Sequence, residues 1–340
     1  MIDEGNRGRA PSIRDVARLA GVSHQTVSRV LNHHPSIRPE TKARVLAVME
    51  ELQYRPNRAA RALVTSRSRT IGILSATSSQ YGPATTISAI ENAARELGYY
   101  VHIANIESTD AATIHSAVEH LMNQAVEGLV VNAPQVRVFD VLADMAIDVP
   151  YVSLQSTNHV SQRAMSSDQI TGARLATRHL IELGHKEIIH LAGPQDWIEA
   201  EARMHGFLEE ILDAELPTHP PILGDWSADF GYFAGKELLR YRDFTAVFAA
   251  NDQMAFGLMH AFLEASVRVP GDISVVGFDD VPNAAHYWPP LTTVHQNFDE
   301  VGRRTMALLL SRLEPEADAS VELVMPELIV RQSTGPAPKL

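Results

Sequence analysis

Asn251 and Asp252 follow one apolar run, Asp279 and Asp280 follow another, and Arg203 and Trp226 lie in or just after loops between such runs. Neutral amides, a carboxylate, a guanidinium and an aromatic plate suit the hydroxyls and the apolar face of a sugar. Each residue also has a plain structural reading. Asn251 and Asp252 are good helix caps, Trp226 would fit a core, and Arg203 could pair with Glu199 on a helix surface. A second set stands near the amino terminus, where His24, Gln25 and Arg29 fall within six residues. Glutamine bonds adenine bidentately and arginine bonds guanine in the same way. Thr26 and Ser28 suit phosphate bonds or hold their helix. Bond-breaking chemistry finds no support: there is no Gly-x-Ser-x-Gly elbow, no P-loop and no His-Glu-x-x-His. His185 and His190 flank a strand start and read as structural. Asp279 and Asp280 are adjacent, which does not aim two carboxylates at one site. No catalytic residue, metal or cofactor is therefore expected.

The amino-terminal set needs a helix to hold it. Ser12 with Asp15 has capping-box spacing before Ile13–Ala20, and Gly21 suits the position after a helix end. Val16, Leu19 and Ala20 are expected on the inner face. Ser23 caps a second helix from His24 to about Asn32, with Val27, Val30 and Leu31 inward. Two short helices joined by Gly21-Val22-Ser23 form a helix-turn-helix pattern, whose second helix enters a major groove through its first residues. An ordinary corner of two helices is the alternative. A third helix is expected from Pro39 to about Tyr54, with Val45, Leu46, Met49 and Leu52 completing a small core. Asn57–Leu63 then carries Arg58 and Arg61 on a piece too short to be a stable helix alone. It reads either as an interdomain linker or as a basic minor-groove wedge that exposes Leu63.

The second set needs a sheet. Strands are expected at Thr70–Ser75, Tyr99–Ile106, Gly128–Asn132, Tyr151–Leu154, Ile188–Ala192, Ala246–Ala249 and Ser274–Phe278. Helical patterns fall between them, around Ile87–Leu97, Ala111–Gln124, Thr171–Leu183, Ala200–Ile211, Phe230–Leu239 and Met254–Glu264. Strand–helix alternation over this length predicts a parallel α/β fold. Such folds bind ligands at the carboxyl ends of the strands, where Asn251, Asp279 and the stretch Pro194–Arg203 fall. Gly335–Leu340 is expected to be a disordered tail.

Length and charge agree with two parts. The 340 residues carry a net charge of −12, unevenly spread. Residues 1–69 hold 13 of the 29 Lys and Arg but 6 of the 41 Asp and Glu, a net +7 against −19 for the rest. A basic segment on an acidic body points to a polyanionic partner for that segment, or to a solvated basic tail. The absence of cysteine excludes disulfide frameworks, cysteine metal sites and thiol catalysis. No apolar run approaches the ~18 residues of a membrane span and no signal peptide is found, so a cytoplasmic protein with no membrane partner is expected.

Ile13-Arg14-Asp15-Val16-Ala17, Gly21-Val22-Ser23-His24-Gln25-Thr26-Val27-Ser28-Arg29-Val30-Leu31-Asn32 and Tyr54-Arg55-Pro56-Asn57-Arg58-Ala59-Ala60 closely resemble the lactose/galactose repressor family of bacterial transcription regulators. In the body, Leu191-Ala192-Gly193-Pro194, Gly224-Asp225-Trp226-Ser227-Ala228, Ala250-Asn251-Asp252-Gln253-Met254-Ala255, Asp272–Asp280 and Pro290–Phe298 extend the resemblance. It implies an all-α helix-turn-helix domain over residues 1–56, a hinge helix and linker over 57–69, and a two-lobed α/β sensor, similar to periplasmic binding proteins, over 70–333. The lobes would comprise about 70–166 with 297–325, and 167–296 with 326–333, leaving a tail at 334–340. DNA contacts are implied for Ser23, His24, Gln25, Thr26, Ser28, Arg29 and Asn32, and in the hinge for Asn57, Arg58, Arg61 and Leu63. Leu63 stands where the family places an intercalating leucine. Ligand contacts are implied for Pro83, Arg203, Trp226, Asn251, Asp279, Gln296 and Phe298.

Departures bear on the ligand. Gln155 stands where the member most resembled has an aspartate, Ser108 where it has an arginine, and Trp197 and Glu199 where it has two serines. Gln155 and Trp197 are accordingly added to the ligand-contacting set, Trp197 as a second aromatic plate suited to a disaccharide or another glycoside. Arg38 stands where Ser or Thr often caps the third helix. The chain has no apolar heptad tail of the kind that makes one member tetrameric, so a homodimer on near-palindromic double-stranded operator DNA is expected. The function implied is an allosteric, sugar-released repressor. The alternatives are a regulator tightened on DNA by a purine or phosphorylated metabolite, an enzyme acting on sugars, and a free-standing transport binding protein.

Overall fold

The computed structural model describes residues 11–31, 34–55, 67–76, 80–155, 164–241, 243–313 and 322–338. The chain divides into two compact units, Met1–Ser68 and Arg69–Leu340.

The first unit contains α1 (Ile13–Leu19), α2 (His24–Leu31) and α3 (Pro39–Glu51). Ser12 and Asp15 form the full reciprocal capping box, with the Ser12 N–H donating to Asp15 Oδ2 at 2.9 Å. Gly21, at φ +64°, makes the left-handed turn a side chain would strain. Ser23 Oγ accepts the Thr26 N–H at 3.1 Å and starts α2. Val16, Ala17, Ala20, Val27, Val30 and Val45 form the core. Two expected core residues fall outside it: Leu19 and Leu46 are 52% and 46% exposed. Ala17 and Val48 pack there instead, because the inward stripe follows i, i+3, i+4, i+7 spacing through Ile13, Val16, Ala17 and Ala20 in α1 and through Val45, Val48, Met49 and Leu52 in α3 and its end. Helix α3 stops before the expected Tyr54. Gln53 takes φ +49° and the Tyr54 N–H turns back to Met49 O at 2.8 Å, so Leu52 and Tyr54 fold onto the core. No side chain caps α3 at Arg38, as its residue type implies.

The second unit holds two sheets. The first has the order β2-β1-β3-β4, from β1 (Thr70–Ala76), β2 (Tyr100–Ile106), β3 (Gly128–Asn132) and β4 (Tyr151–Ser153), all parallel. Helices α4 (Tyr81–Glu96), α5 (Ala111–Asn123) and α6 (Val136–Ala143) connect these strands. The second sheet has the order β10-β9-β8-β7-β5-β6, with β5 (Ile188–Ala192), β6 (Ile222–Leu223), β7 (Ala246–Ala249), β8 (Ser274–Asp279), β9 (Thr292–His295) and β10 (Glu327–Ile329). Only β10 runs antiparallel there. Its helices are α7 (Gln169–Glu182), α8 (Ile198–Asp213), α9 (Ala228–Leu238) and α10 (Asp252–Glu264). After β9 the chain returns to the first sheet as α11 (Phe298–Leu313), which packs on α4, β3 and β4. Two separate apolar cores flank the first sheet and two flank the second, so the unit has two lobes, one per sheet.

Both sheets reverse strand order at an interior point, between β1 and β3 in one and between β5 and β7 in the other. A crevice opens at such a reversal because successive connections leave to opposite faces. The described part of the expected tail, residues 335–338, is not loose. Ser274 Oγ takes the Gly335 N–H at 3.1 Å, and the Ala337 N–H donates to Leu183 O at 2.9 Å, so residues 335–337 seal the far edge of the second lobe.

Candidate functional site

In the first unit, α2 divides cleanly by face. Val27 and Val30 are buried, whereas Ser23, His24, Gln25 and Arg29 are exposed. Thr26 and Ser28 are half-buried, and the Thr26 hydroxyl lies 2.9 Å from Ser23 Oγ at the cap. The exposed residues occupy the start of the helix and the next turn, the part of such a helix that can reach base edges. Asn32, Asn57, Arg58, Arg61 and Leu63, together with the proposed hinge helix, lie outside the described residues.

In the second unit, a cavity lies between the carboxyl ends of the two sheets, with an empty volume of about 710 Å³ including the part open at its mouth. Eight of the nine expected ligand contacts line it: Pro83, Trp197, Arg203, Trp226, Asn251, Asp279, Gln296 and Phe298. Gln155 is the exception. It is half-buried beyond β4 and donates from Nε2 to Ser153 Oγ at 3.1 Å, while its neighbour Leu154 lines the cavity. Side chains alternate about a strand end, which puts adjacent residues on opposite sides.

The polar floor is a closed circuit. Arg203, on α8, donates from Nε to Gln169 Oε1 at 2.8 Å and from Nη2 to Asp279 Oδ1 at 3.4 Å. Gln169 donates to Gln296 Oε1 at 2.7 Å, and Gln296 donates to Asp279 Oδ1 at 2.8 Å. All four residues are buried. Arg203 also donates to the Ala250 carbonyl, and its guanidinium carbon lies over the Phe278 ring, 3.9 Å from the ring centre. Burial pushes the Asp279 carboxyl up, and the Arg203 charge and the Gln296 amide hold it back down. Behind it, Asp252 is pushed up strongly, first by burial and then by the Asp279 charge. Its carboxyl receives the Thr293 hydroxyl at 2.5 Å and the Val281 N–H at 2.8 Å.

Trp226 forms an aromatic wall with Trp197, edge to face at 5.5 Å, and Arg203 lies 5.5 Å from the Trp226 ring centre. A Cβ at Gly193 would stand 2.2 Å from that ring, so only glycine lets the loop after β5 pass beneath it. Trp226 takes φ +72° and Asp279 φ +109°, left-handed backbone that ordinary side chains avoid. Strain of this kind collects at sites whose geometry the surrounding packing imposes. Asn251 keeps both of its readings: it caps α10 by accepting the Met254 N–H at 2.9 Å, donates to Trp226 O at 3.0 Å, and lines the cavity. From the first lobe, Tyr81 meets Phe298 edge to face at 5.9 Å, and Asn132 fixes Pro83 through its carbonyl at 3.1 Å.

Two further residues of the cavity, Gln169 and Glu199, are not among the expected ligand contacts. Gln169 closes the floor circuit, and Glu199 lines the wall beside Trp197. Gln169 gave no signal beyond following Asp168, the cap of α7. Glu199 is not the surface partner of Arg203; both belong to the cavity. Burial pushes its carboxyl up to about 7. His185 and His190 are structural, as expected. His190 stacks between Phe207 and Phe248, and burial pushes it down to about 4.

Two family models match. "Bacterial regulatory proteins, lacI family" matches residues 12–57, and "Periplasmic binding protein-like domain" matches residues 177–334. The chain is 34% identical to the lactose operon repressor of Escherichia coli (strain K12), over 95% of this chain and 90% of that one. It is 36% identical to the HTH-type transcriptional regulator CelR of Thermobifida fusca, over 96% and 99%. It is 32% identical to the HTH-type transcriptional repressor PurR of Haemophilus influenzae, over 95% and 98%. A solved lac repressor dimer, bound to operator and the anti-inducer ONPF, superposes with a TM-score of 0.87 over 96% of this chain and all of that one. A CelR–cellobiose complex superposes with a TM-score of 0.70 over 95% and 99%.

Proposed function

Because the chain belongs to the lacI family of bacterial regulatory proteins, we propose that it is a sequence-specific repressor of carbohydrate-utilisation genes, released from its operator by a glycoside. The glycoside, a galactoside or a related sugar, would occupy the cavity between the two lobes. The observation that carries this reading is the floor circuit of Arg203, Gln169, Gln296 and Asp279 set beside the Trp197–Trp226 wall. Fixed donors and acceptors beside an aromatic plate match the alternating hydroxyls and apolar face of a sugar ring.

The two lobes supply opposite walls, so a ligand that touches both favours the lobe orientation in which both sets of contacts are made. It shifts DNA affinity by its differential affinity for the bound and released states. His24, Gln25 and Arg29 read base edges, and two copies of the chain place two such helices on a near-palindromic site. No catalytic step is assigned to the cavity. Among the described residues, no helix is long and apolar enough to cross a membrane.

A mobility-shift assay on operator DNA with galactosides, cellobiose, xylobiose and maltose tests the reading. Release by one of them is expected, and no effect by any would overturn it. A second reading has one observation in its favour, the 32% identity to a PurR protein over nearly the whole chain. A purine would use Trp226 and Asp279 as plate and acceptor, and would tighten rather than loosen the DNA complex.

A further inference from the structure

One carboxylate oxygen of the cavity is left unanswered. Glu199 stands in the first turn of α8, one turn before Arg203. The residue as a whole is half-buried and lines the cavity, yet its Oε2 is sealed from solvent and has no hydrogen-bond partner. Asp279, the other cavity carboxylate, is answered by Arg203 and Gln296. Two more sealed atoms on the same walls lack partners, Trp226 Nε1, a donor, and Ser167 Oγ. An unpaired buried polar group is costly, so such a set describes what is to fill it. A molecule rich in hydroxyls, each both donor and acceptor, can satisfy all three. A molecule with acceptors alone leaves the ionised Glu199 unpaired, and a cation meets the fixed charge of Arg203.

We propose that Glu199 is a specificity-determining ligand contact, a carboxylate that accepts a hydroxyl hydrogen bond from the glycoside, so that ligand binding expels a proton. The inference rests on the glycoside reading above. Burial pushes the Glu199 carboxyl up to about 7, against the smaller opposing pulls of its own backbone N–H and the Arg203 charge. Of the other charged or titratable groups nearby, Asp279 faces the cavity from the end of β8 and Tyr81 from α4. Asp252 is turned away onto Thr293 and Val281, and His190 lies behind Arg203 in its stack of rings. A hydroxyl donated to Oε2 favours the ionised form. The pKa of Glu199 therefore falls on binding, and by linkage affinity rises with pH until the carboxyl is ionised in the free protein as well.

Calorimetric titration of the full chain with cellobiose and with methyl β-D-galactoside, at pH 6, 7 and 8 in two buffers of different ionisation enthalpy, tests this. Affinity should rise by up to about tenfold from pH 6 to pH 8, with close to one proton released per ligand at pH 6. Glu199→Gln should bind more weakly at pH 8 and lose the pH dependence, and Glu199→Asp should retain part of it. Affinity independent of pH, affinity falling as pH rises, or a slope that persists in Glu199→Gln would overturn the inference while leaving the glycoside reading intact. Failure of both sugars to bind at every pH would overturn the two together.

Discussion

Ile198 donates its backbone N–H to the Pro134 carbonyl at 3.0 Å, a bond from the second lobe to the first beside the cavity that Pro134 and Trp197 line. The Val136 N–H returns the bond to Asp196 O at 3.2 Å, and Gln135 pairs with Trp197 as an isolated antiparallel bridge. The loop after β3 and the loop after β5 thus form a short ladder. Its second-lobe strand leads directly into Trp197, Glu199 and the start of α8. The cavity residues of that helix and the interlobe bonds share one backbone segment.

Ile198→Pro isolates this ladder. Position 198 is the first residue of α8, where proline is accepted, and Trp197 before it already has the extended backbone that a following proline demands. The substitution removes one interlobe hydrogen bond without disturbing the helix. Ligand affinity should fall by about fivefold, the value of ~1 kcal/mol for such a bond. Helix content by circular dichroism should not change. Unaltered affinity would separate the ladder from ligand binding.

Arg203→Ala opens the floor circuit at its cation. Asp279 is then left buried with only the Gln296 amide. Removing one partner of a buried ion pair costs about 3 kcal/mol or more, because the other charge stays unpaired. Thermal unfolding should occur at lower temperature, and the stabilisation by ligand should vanish. The Arg203→Ala, Asp279→Asn double variant should lose less than the sum of the single losses. Additive losses would show that the two side chains act separately.

Gly193→Ala asks whether the Trp226 wall is positioned from behind. Its backbone tolerates alanine, but the added methyl meets the indole at 2.2 Å. The ring must move away from its place beside Arg203 and Trp197. Of the three tryptophans in the chain, Trp226 is buried while Trp288 is 81% exposed, so a change in emission reports chiefly the cavity. A red shift with at least about tenfold weaker ligand binding is expected, since large overpacking defects cost roughly 1–3 kcal/mol.

Much of this was legible in the sequence for identifiable reasons. The caps at Ser12 and Ser23 and the turn at Gly21 are local rules, so α1 and α2 fell where their residues place them. Residues at or beyond the ends of β5, β6, β7 and β8 converge because parallel strands end on one side, which is why Arg203, Trp226, Asn251 and Asp279 meet. Gln169 escaped because its role depends on a partner far along the chain, Gln296, 127 residues away. Glu199 reads as a surface residue because nothing local shows that the first turn of its helix lines a cavity. Leu46 was misplaced because a helix with two adjacent apolar residues, Val45 and Leu46, does not declare which one points inward until a neighbour packs on it. Helix α11 was not read as an element at all, since it begins in a crossover and belongs to the lobe its chain neighbours leave.

The exposed face of α2 makes a directional prediction about DNA. Selection from randomised duplexes followed by Arg29→Ala or Gln25→Ala should relax preference at one or two positions in each half-site. The loss against the preferred sequence should be about 1–3 kcal/mol. Ser12→Ala should instead lower the stability of the first unit by about 1 kcal/mol through loss of the capping box, with sequence preference retained. Equal relaxation by both kinds of variant would place the reading elsewhere.

Glu199 also sets a pH dependence of stability that requires no ligand. Its carboxyl stands at about 7 in the folded chain against 4.5 for the unperturbed group. The folded state therefore binds the proton more tightly, and the stability linked to it is fully present below 4.5. It is lost progressively as the pH rises to about 7, and no further above that. The loss is bounded at about 3 kcal/mol, because each pKa unit corresponds to ~1.4 kcal/mol. Glu199→Gln cannot ionise, so wild type and variant should unfold at similar temperatures near pH 4.5. The variant should become the more stable of the two as the pH approaches 8. Asp252, which burial also pushes up, acts in the same direction and is retained in both proteins, so the comparison isolates Glu199. Parallel unfolding profiles from pH 4.5 to pH 8 would mean that Oε2 is solvated in the free protein and that its burial costs nothing to ionise.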